Sequence, residues 1–166
     1  MIIVAIDPGT TESGYVAWDA IIAELIEFDK IDNQYLLEVI DRLNGMHKNL
    51  IYAIEEFKSF GMPMGQTTIN SILWSGRFYE RIKNNHSGDI YMVPRKTYVT
   101  ELCSVARAKD GNVSRRLKNL FGEKGTKKNP GKLYGMKSDC WSALGMAVYV
   151  ATLNGYSYED KYSLGL

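Results

Sequence analysis

Asp7, Glu55 and Asp139 each stand at the end of an apolar stretch. Asp7 closes Ile2-Ile3-Val4-Ala5-Ile6, Glu55 closes the run that begins at Leu50, and Asp139 precedes Ala143-Leu144-Gly145-Met146-Ala147. A carboxylate in such surroundings loses hydration, and several together repel one another unless a divalent cation lies among them. Magnesium meets that need. It accepts hard oxygen ligands from few residues, and a pair of such ions activates water and stabilises the leaving oxygen of a phosphodiester. Taken singly, the acids have plainer uses: Asp7 suits a turn before Pro8-Gly9, Asp139 the positive end of a helix, and one of the neighbours Glu55 and Glu56 a solvated face.

The basic residues bear on what such a site would act upon. Lys plus Arg is 20 against 19 for Asp plus Glu over the whole chain, an average that hides the pattern. Residues 1–56 hold 11 acids and 3 bases, whereas residues 107–137 hold 10 bases and 2 acids. The basic segment includes Lys109, Arg115, Arg116, Lys118, Lys127 and Lys128. That density suits neutralising phosphates with release of counterions, which points to nucleic acid; a merely solvated surface is the alternative.

The elements that must position these residues follow from periodicity. Residues 2–6 read as a buried strand, and residues 14–18 and 21–28, flanking Asp19-Ala20, as an antiparallel hairpin. Asp32 is placed to cap a helix with apolar positions Leu36, Leu37, Val39, Ile40 and Leu43, followed by a strand from Leu50 to Glu55. Thr67 or Thr68 starts a long amphipathic helix through Ile82, the candidate face for a second copy. A short strand at 90–93 precedes Pro94, which suits the first turn of a helix through Val99 and Leu102. Helices are expected at 112–120 and 138–153, and the Gly- and Lys-rich segment from Phe121 to Gly135 reads as a mobile loop.

The length of 166 residues fits one domain, and 45% apolar with 23% charged residues exclude a disordered or fibrous chain. No apolar run approaches the roughly 18 residues of a membrane span, and the first residues lack the basic region of a signal peptide, so no membrane and a cytoplasmic location are expected. Cys103 and Cys140 are expected as reduced thiols within the core.

Ile3-Val4-Ala5-Ile6-Asp7-Pro8-Gly9-Thr10 with Gly14-Tyr15, then Tyr52-Ala53-Ile54-Glu55, then Asp139 before Ala143-Leu144-Gly145-Met146-Ala147, resembles the RuvC family of Holliday junction resolvases over nearly the whole chain. The resemblance implies an α/β, ribonuclease H-like fold, a mixed five-stranded sheet flanked by helices, with residues 1–153 as a single nuclease domain and 154–166 as a C-terminal tail. It implies a homodimer that nicks four-way DNA junctions in pairs, using two Mg2+ per active site, with Mn2+ expected to substitute. Asp7, Glu55 and Asp139 match the first three acids of that family. The fourth acid, three residues beyond Asp139, is here Ser142, which leaves water, Glu56 or Asp110 to complete a metal site. Arg95, Lys96 and Lys109 fall in the stretch where the family carries DNA-contacting bases, with a solvated helix start the alternative for Lys109, and the resemblance offers Phe57 or Phe60 for opening the junction centre by stacking on bases, with core packing the alternative. The glycine-rich loop before Lys137 resembles the bacteriophage versions more than the cellular ones, so the setting is a bacterial cell or a phage-infected host. Two alternatives stay open: a broader nuclease for flaps and forks, and a junction-binding protein without turnover. Asp7-Pro8-Gly9-Thr10-Thr11 also resembles the phosphate turn of actin-like ATPases, but one domain of this length lacks their second lobe.

Overall fold

Among the described residues, five strands and five helices follow one another in the order β1 (Ile2–Asp7), β2 (Glu12–Asp19), β3 (Glu24–Asp32), α1 (Asn33–Met46), β4 (Leu50–Glu56), α2 (Gln66–Asn85), β5 (Ile90–Pro94), α3 (Arg95–Cys103), α4 (Asp110–Phe121) and α5 (Ser138–Leu153). The structure is a computed structural model and describes residues 1–59, 61, 63–105 and 109–158. The strands form one mixed sheet in the order β3-β2-β1-β4-β5. β1 pairs antiparallel with β2 and parallel with β4, and β4 pairs parallel with β5. The parallel pairs require crossovers, which α1 and α2 supply.

Period-two alternation divides the core between the two faces of the sheet. Ile3, Ala5 and Ala53 face one layer with α3, α4 and α5, while Val4, Ile6, Tyr52 and Ile54 face the other with α1 and α2. Helix α5 is buried nearly all round, because β1 and β2 cover one side of it and α3 and α4 the other. Gly145 allows this close approach: a Cβ there would stand 3.0 Å from Val113 and 3.2 Å from Leu102.

Several sequence expectations hold in detail. Asp32 caps α1, its Oδ1 accepting from the amides of Gln34 at 2.8 Å and Tyr35 at 3.3 Å. Helix α5 has the expected bounds, and both cysteines are free thiols, Cys140 buried and Cys103 half-buried.

Others shift for local reasons. The hairpin turn takes residues 20–23 instead of Asp19-Ala20, because Asp19 Oδ1 accepts from the Ile21 amide at 2.9 Å and Ala23 adopts a positive φ of 56°. β3 therefore starts later and runs on to Asp32. The segment expected as a mobile loop is tied down: Gly125 bridges Pro130, Lys124 Nζ donates to the Met136 carbonyl at 2.9 Å, and Lys132 and Lys137 pair with Glu24 and Asp29 of β3 at 2.5 and 2.7 Å. The first residues of the expected tail join the core. Tyr158 is buried against Trp18, ring centroids 5.0 Å apart, and its hydroxyl donates to the Ala20 carbonyl at 2.9 Å. Among the described residues, no helix is long and apolar enough to cross a membrane.

Candidate active site

The register of β1 against β4 brings the first two acids together. Ile6 lies opposite Ile54, so Asp7 and Glu55 come next along their strands, and their odd-numbered positions face α5 as Ala5 and Ala53 do. Asp7 is also paired across the sheet with Gly14, and Gly14 with Lys30. A Cβ on Gly14 would lie 2.6 Å from both the carbonyl carbon and the Cβ of Asp139. The bare backbone of β2 is what lets the first turn of α5 settle over β1 and bring in the third acid. Lys30 Nζ then reaches Asp139 Oδ2 at 2.7 Å, and Ser138 Oγ donates to Asp139 Oδ1 at 2.9 Å.

The turn after Asp7 is held by a buried polar network. The Gly9 amide donates to Ser13 Oγ at 3.0 Å, Ser13 Oγ donates to Asn33 Oδ1 at 2.5 Å, and Asn33 Nδ2 returns to the Gly9 carbonyl at 3.0 Å. A Cβ on Gly9 would come 2.1 Å from the Glu12 carbonyl oxygen, so the turn requires glycine.

Arg95 enters from the opposite wall. It is the first residue of α3, and its Nη1 donates to Glu55 Oε2 at 3.1 Å, Tyr98 Oη at 3.0 Å and Ser142 Oγ at 3.2 Å. Tyr98, one turn on, is wholly buried and donates its hydroxyl to the same Glu55 oxygen at 3.1 Å. Burial first, and the Glu55 charge second, hold this phenol above its ordinary range, so it remains a donor. Ser142 lies beside Asp7 on the cleft and favours its charged form. The Asp7 carboxyl is pushed up to about 8, chiefly by burial, then by the charges of Glu55 and Asp139, with Arg95 and Ser142 pulling the other way. The group opens on a cleft of about 410 Å3 lined by Asp7, Arg95, Ser114, Ser138, Asp139, Trp141 and Ser142.

The other candidates distribute unevenly. Glu56 is next to Glu55 on the strand, so its side chain takes the opposite direction, and it pairs with Lys58 at 3.4 Å. Phe57 is half-buried in a groove with Pro63, Met64 and Thr68. Phe60 and the Asp110 side chain lie outside the described groups. Lys96 is exposed on α3, and Lys109 takes the helix-start position of α4, where its amide donates to Asn112 Oδ1 at 2.9 Å. Arg115 is exposed, Arg116 lines a different cavity with Glu101 and Tyr156, and Lys118 pairs with Glu123 at 3.0 Å. Lys127 and Lys128 stand exposed at the tip of the Gly125–Pro130 bridge.

Sequence reasoning missed two participants. Tyr98 reads as a core residue and is one, yet its hydroxyl belongs to the site. Lys30 lies in the acidic half of the chain and shows its role only through its cross-strand place beside Gly14. The detectable signal for Tyr98 was its spacing of three from Arg95 on a helix that starts directly after Pro94.

The donor chemistry fits a divalent ion beside Asp7, with hard oxygen from two carboxylates and a hydroxyl next to a carboxyl whose charge its present neighbours leave undercompensated. The arrangement is not a ready-made cage. Among the described residues no three His, Cys, Asp or Glu side chains converge as a metal-holding group, since Glu55 is turned to Arg95 and Tyr98, and Asp139 to Lys30.

No family model matches the chain, and no curated protein matches it. The fold itself has clear counterparts and is a ribonuclease H-like fold of the RuvC kind. RuvC from Thermus thermophilus superposes with a TM-score of 0.63 at 16% identity, covering 95% of this chain and 99% of that one. The T. thermophilus RuvC structure in complex with a Holliday junction substrate gives a TM-score of 0.61 at 16% identity, over 92% and 96% of the two chains. The yeast mitochondrial Holliday junction resolvase Ydc2 gives 0.51 at 10% identity, over 99% of this chain and 84% of that one.

Proposed function

We propose that this protein is a divalent-metal-dependent endonuclease that resolves four-way DNA junctions by paired nicks, acting as a homodimer. The observation that carries the reading is that Asp7 and Asp139 line one open cleft, with Glu55 brought next to Asp7 by the β1–β4 register, on a fold shared almost end to end with RuvC in complex with a Holliday junction substrate. Asp7 and Asp139 would hold the metal with Glu55 in support, and Ser142 would offer a hydroxyl beside them. Held there, a Mg2+ or Mn2+ would supply an activated water and charge stabilisation for hydrolysis of a phosphodiester, giving a 5′-phosphate and a 3′-hydroxyl. Lys30 and Arg95 place fixed positive charge at the rim and wall of the cleft, where a phosphate would enter.

The wider DNA path would run over Lys96, Lys109, Arg115, Lys127 and Lys128, contacts that neutralise phosphates without reading sequence. Phe57 is offered for stacking at the crossover. The partner copy would dock on α2, where Ile69 and Leu73 are 40% and 57% exposed and Trp74 lies under Arg77, 4.5 Å from ring centre to guanidinium carbon. The setting that suits this activity is the cytoplasm of a bacterial or phage-infected cell.

One observation favours a second reading. Glu55 and Asp139 are already engaged with cationic side chains, as they would be in a junction-binding protein without turnover. Labelled four-way junctions, flaps and linear duplex, incubated with and without Mg2+, test both. Symmetric nicks in the junction that disappear in Asp7→Asn are expected; added cutting of flaps would make the protein a general branch nuclease, and binding without any cutting would refute catalysis.

A further inference from the structure

A guanidinium in the wall of the cleft bridges Ser142, which lines it, and the buried Glu55 behind. Arg95 Nη1 lies 3.1 Å from Glu55 Oε2 and 3.2 Å from Ser142 Oγ, and Tyr98 Oη fastens both the arginine and Glu55 from below. Position 142 is one turn beyond Asp139 on α5, so it faces the same cleft as Asp139 does. A serine there is neutral and small; its Oγ accepts from Arg95, and it shares the cleft with Asp7. An acid at 142 would meet the arginine before it met any solvent cation.

We infer that Arg95 takes the place of a second metal ion, so that each site binds one divalent cation, on the Asp7 and Asp139 side, and Arg95 supplies the remaining fixed positive charge. This rests on the nuclease reading for its purpose, but its content concerns this cluster alone. Charge supports it: the three carboxylates carry three negative charges, of which Arg95 offsets one and a single divalent ion the other two. Lys30 then adds a net positive charge at the rim, suited to a phosphate. A second ion would raise the site well above neutrality within a partly desolvated cleft, which is costly. Geometry supports it too. The arginine is the first residue of a helix whose N-cap is Pro94, and its Nη1 is hydrogen-bonded to the hydroxyl of the wholly buried Tyr98 one turn on, so its position is set by the fold. An arginine remains charged at all working pH values and presents its donors in a fixed plane, properties that suit contact with phosphate oxygens.

The test counts bound Mn2+ by electron paramagnetic resonance at saturation, on the full chain without DNA. One ion per chain is expected for the wild type. Ser142→Asp alone should still bind one, because Arg95 neutralises the added carboxylate; the Arg95→Ala, Ser142→Asp double variant should bind two. Arg95→Met, which keeps the apolar stem, replaces Arg95→Ala if thermal melting shows the latter to be unfolded. Two ions in the wild type would overturn the inference, as would a count of none, or one ion in the folded double variant. Junction cleavage by the wild type is scored separately. Cutting together with two bound ions would refute the one-ion site and leave the nuclease reading intact, whereas one ion without any cutting in Mg2+ or Mn2+ would do the reverse.

Discussion

Removing the charge of Asp7 should flatten the dependence of stability on pH. In the folded, metal-free protein this carboxyl is raised from 3.8 to about 8 by burial, Glu55 and Asp139. The sign follows directly: the native state keeps a proton that the unfolded chain has already released, so this stabilising contribution is present at low pH and is lost as pH rises through about 8. Between about pH 6 and about pH 8 the native carboxyl still holds a proton that the unfolded chain has released, which costs about 1.4 kcal/mol per unit, so the wild type should lose about 2–3 kcal/mol from this group by about pH 9, where both states are ionised and the curve is flat. Urea unfolding in EDTA at the two ends of this range measures it. Asp7→Asn keeps the shape and cannot ionise, so its curves should lack that loss while all other titrating groups act alike in both proteins. With saturating Mg2+ the wild-type loss should shrink, because the ion replaces the proton as partner of the carboxylate. Equal pH slopes in wild type and variant would refute the claim that Asp7 is the strained carboxyl of the cluster.

Gly14→Ala should push the first turn of α5 away from β1, since its Cβ would stand 2.6 Å from the Asp139 backbone; a stability loss of about 1–3 kcal/mol and loss of junction cutting are expected from melting and cleavage assays. Leu73→Glu puts a charge in the exposed stripe of α2 and should convert the proposed dimer to a monomer in light scattering, with the proposed paired nicks replaced by single ones. Replacing Lys127 and Lys128 together by Ala should weaken junction binding at all sequences and lower the slope of log affinity against log salt by about two, as read by fluorescence anisotropy.

The acids were legible because desolvation is a local property: a carboxylate directly after Ile2-Ile3-Val4-Ala5-Ile6, or after the run from Leu50, declares itself without knowledge of its neighbours. Their meeting required one long-range fact, the parallel register of β1 with β4, and alternation along both strands did the rest. Charge counting was less informative. Ten bases in residues 107–137 suggest a continuous phosphate-binding surface, yet Lys132 and Lys137 are spent on Glu24 and Asp29 of β3, and Lys118 on Glu123. The acidic half of the chain and its basic half partly neutralise each other, and only the fold decides which lysines stay exposed.

Ser142 shows the same limit from the other side. In the sequence it is an acid missing from a set, which suggests a weakened metal site and a gain in metal affinity from Ser142→Asp. In the fold it lies 3.2 Å from an arginine that begins a helix 47 residues earlier in the chain, and the substitution acquires a different meaning. A carboxylate there gains a guanidinium partner, and Arg95 is drawn away from Glu55. Ser142→Asp should therefore leave Mn2+ affinity within about threefold of the wild type, which isothermal titration measures; a tenfold or greater gain, equivalent to about 1.4 kcal/mol, would mean that the ion and not Arg95 claims the new acid. The identity of residue 142 thus has to be read together with residue 95, because the charge either one can tolerate is set by the other.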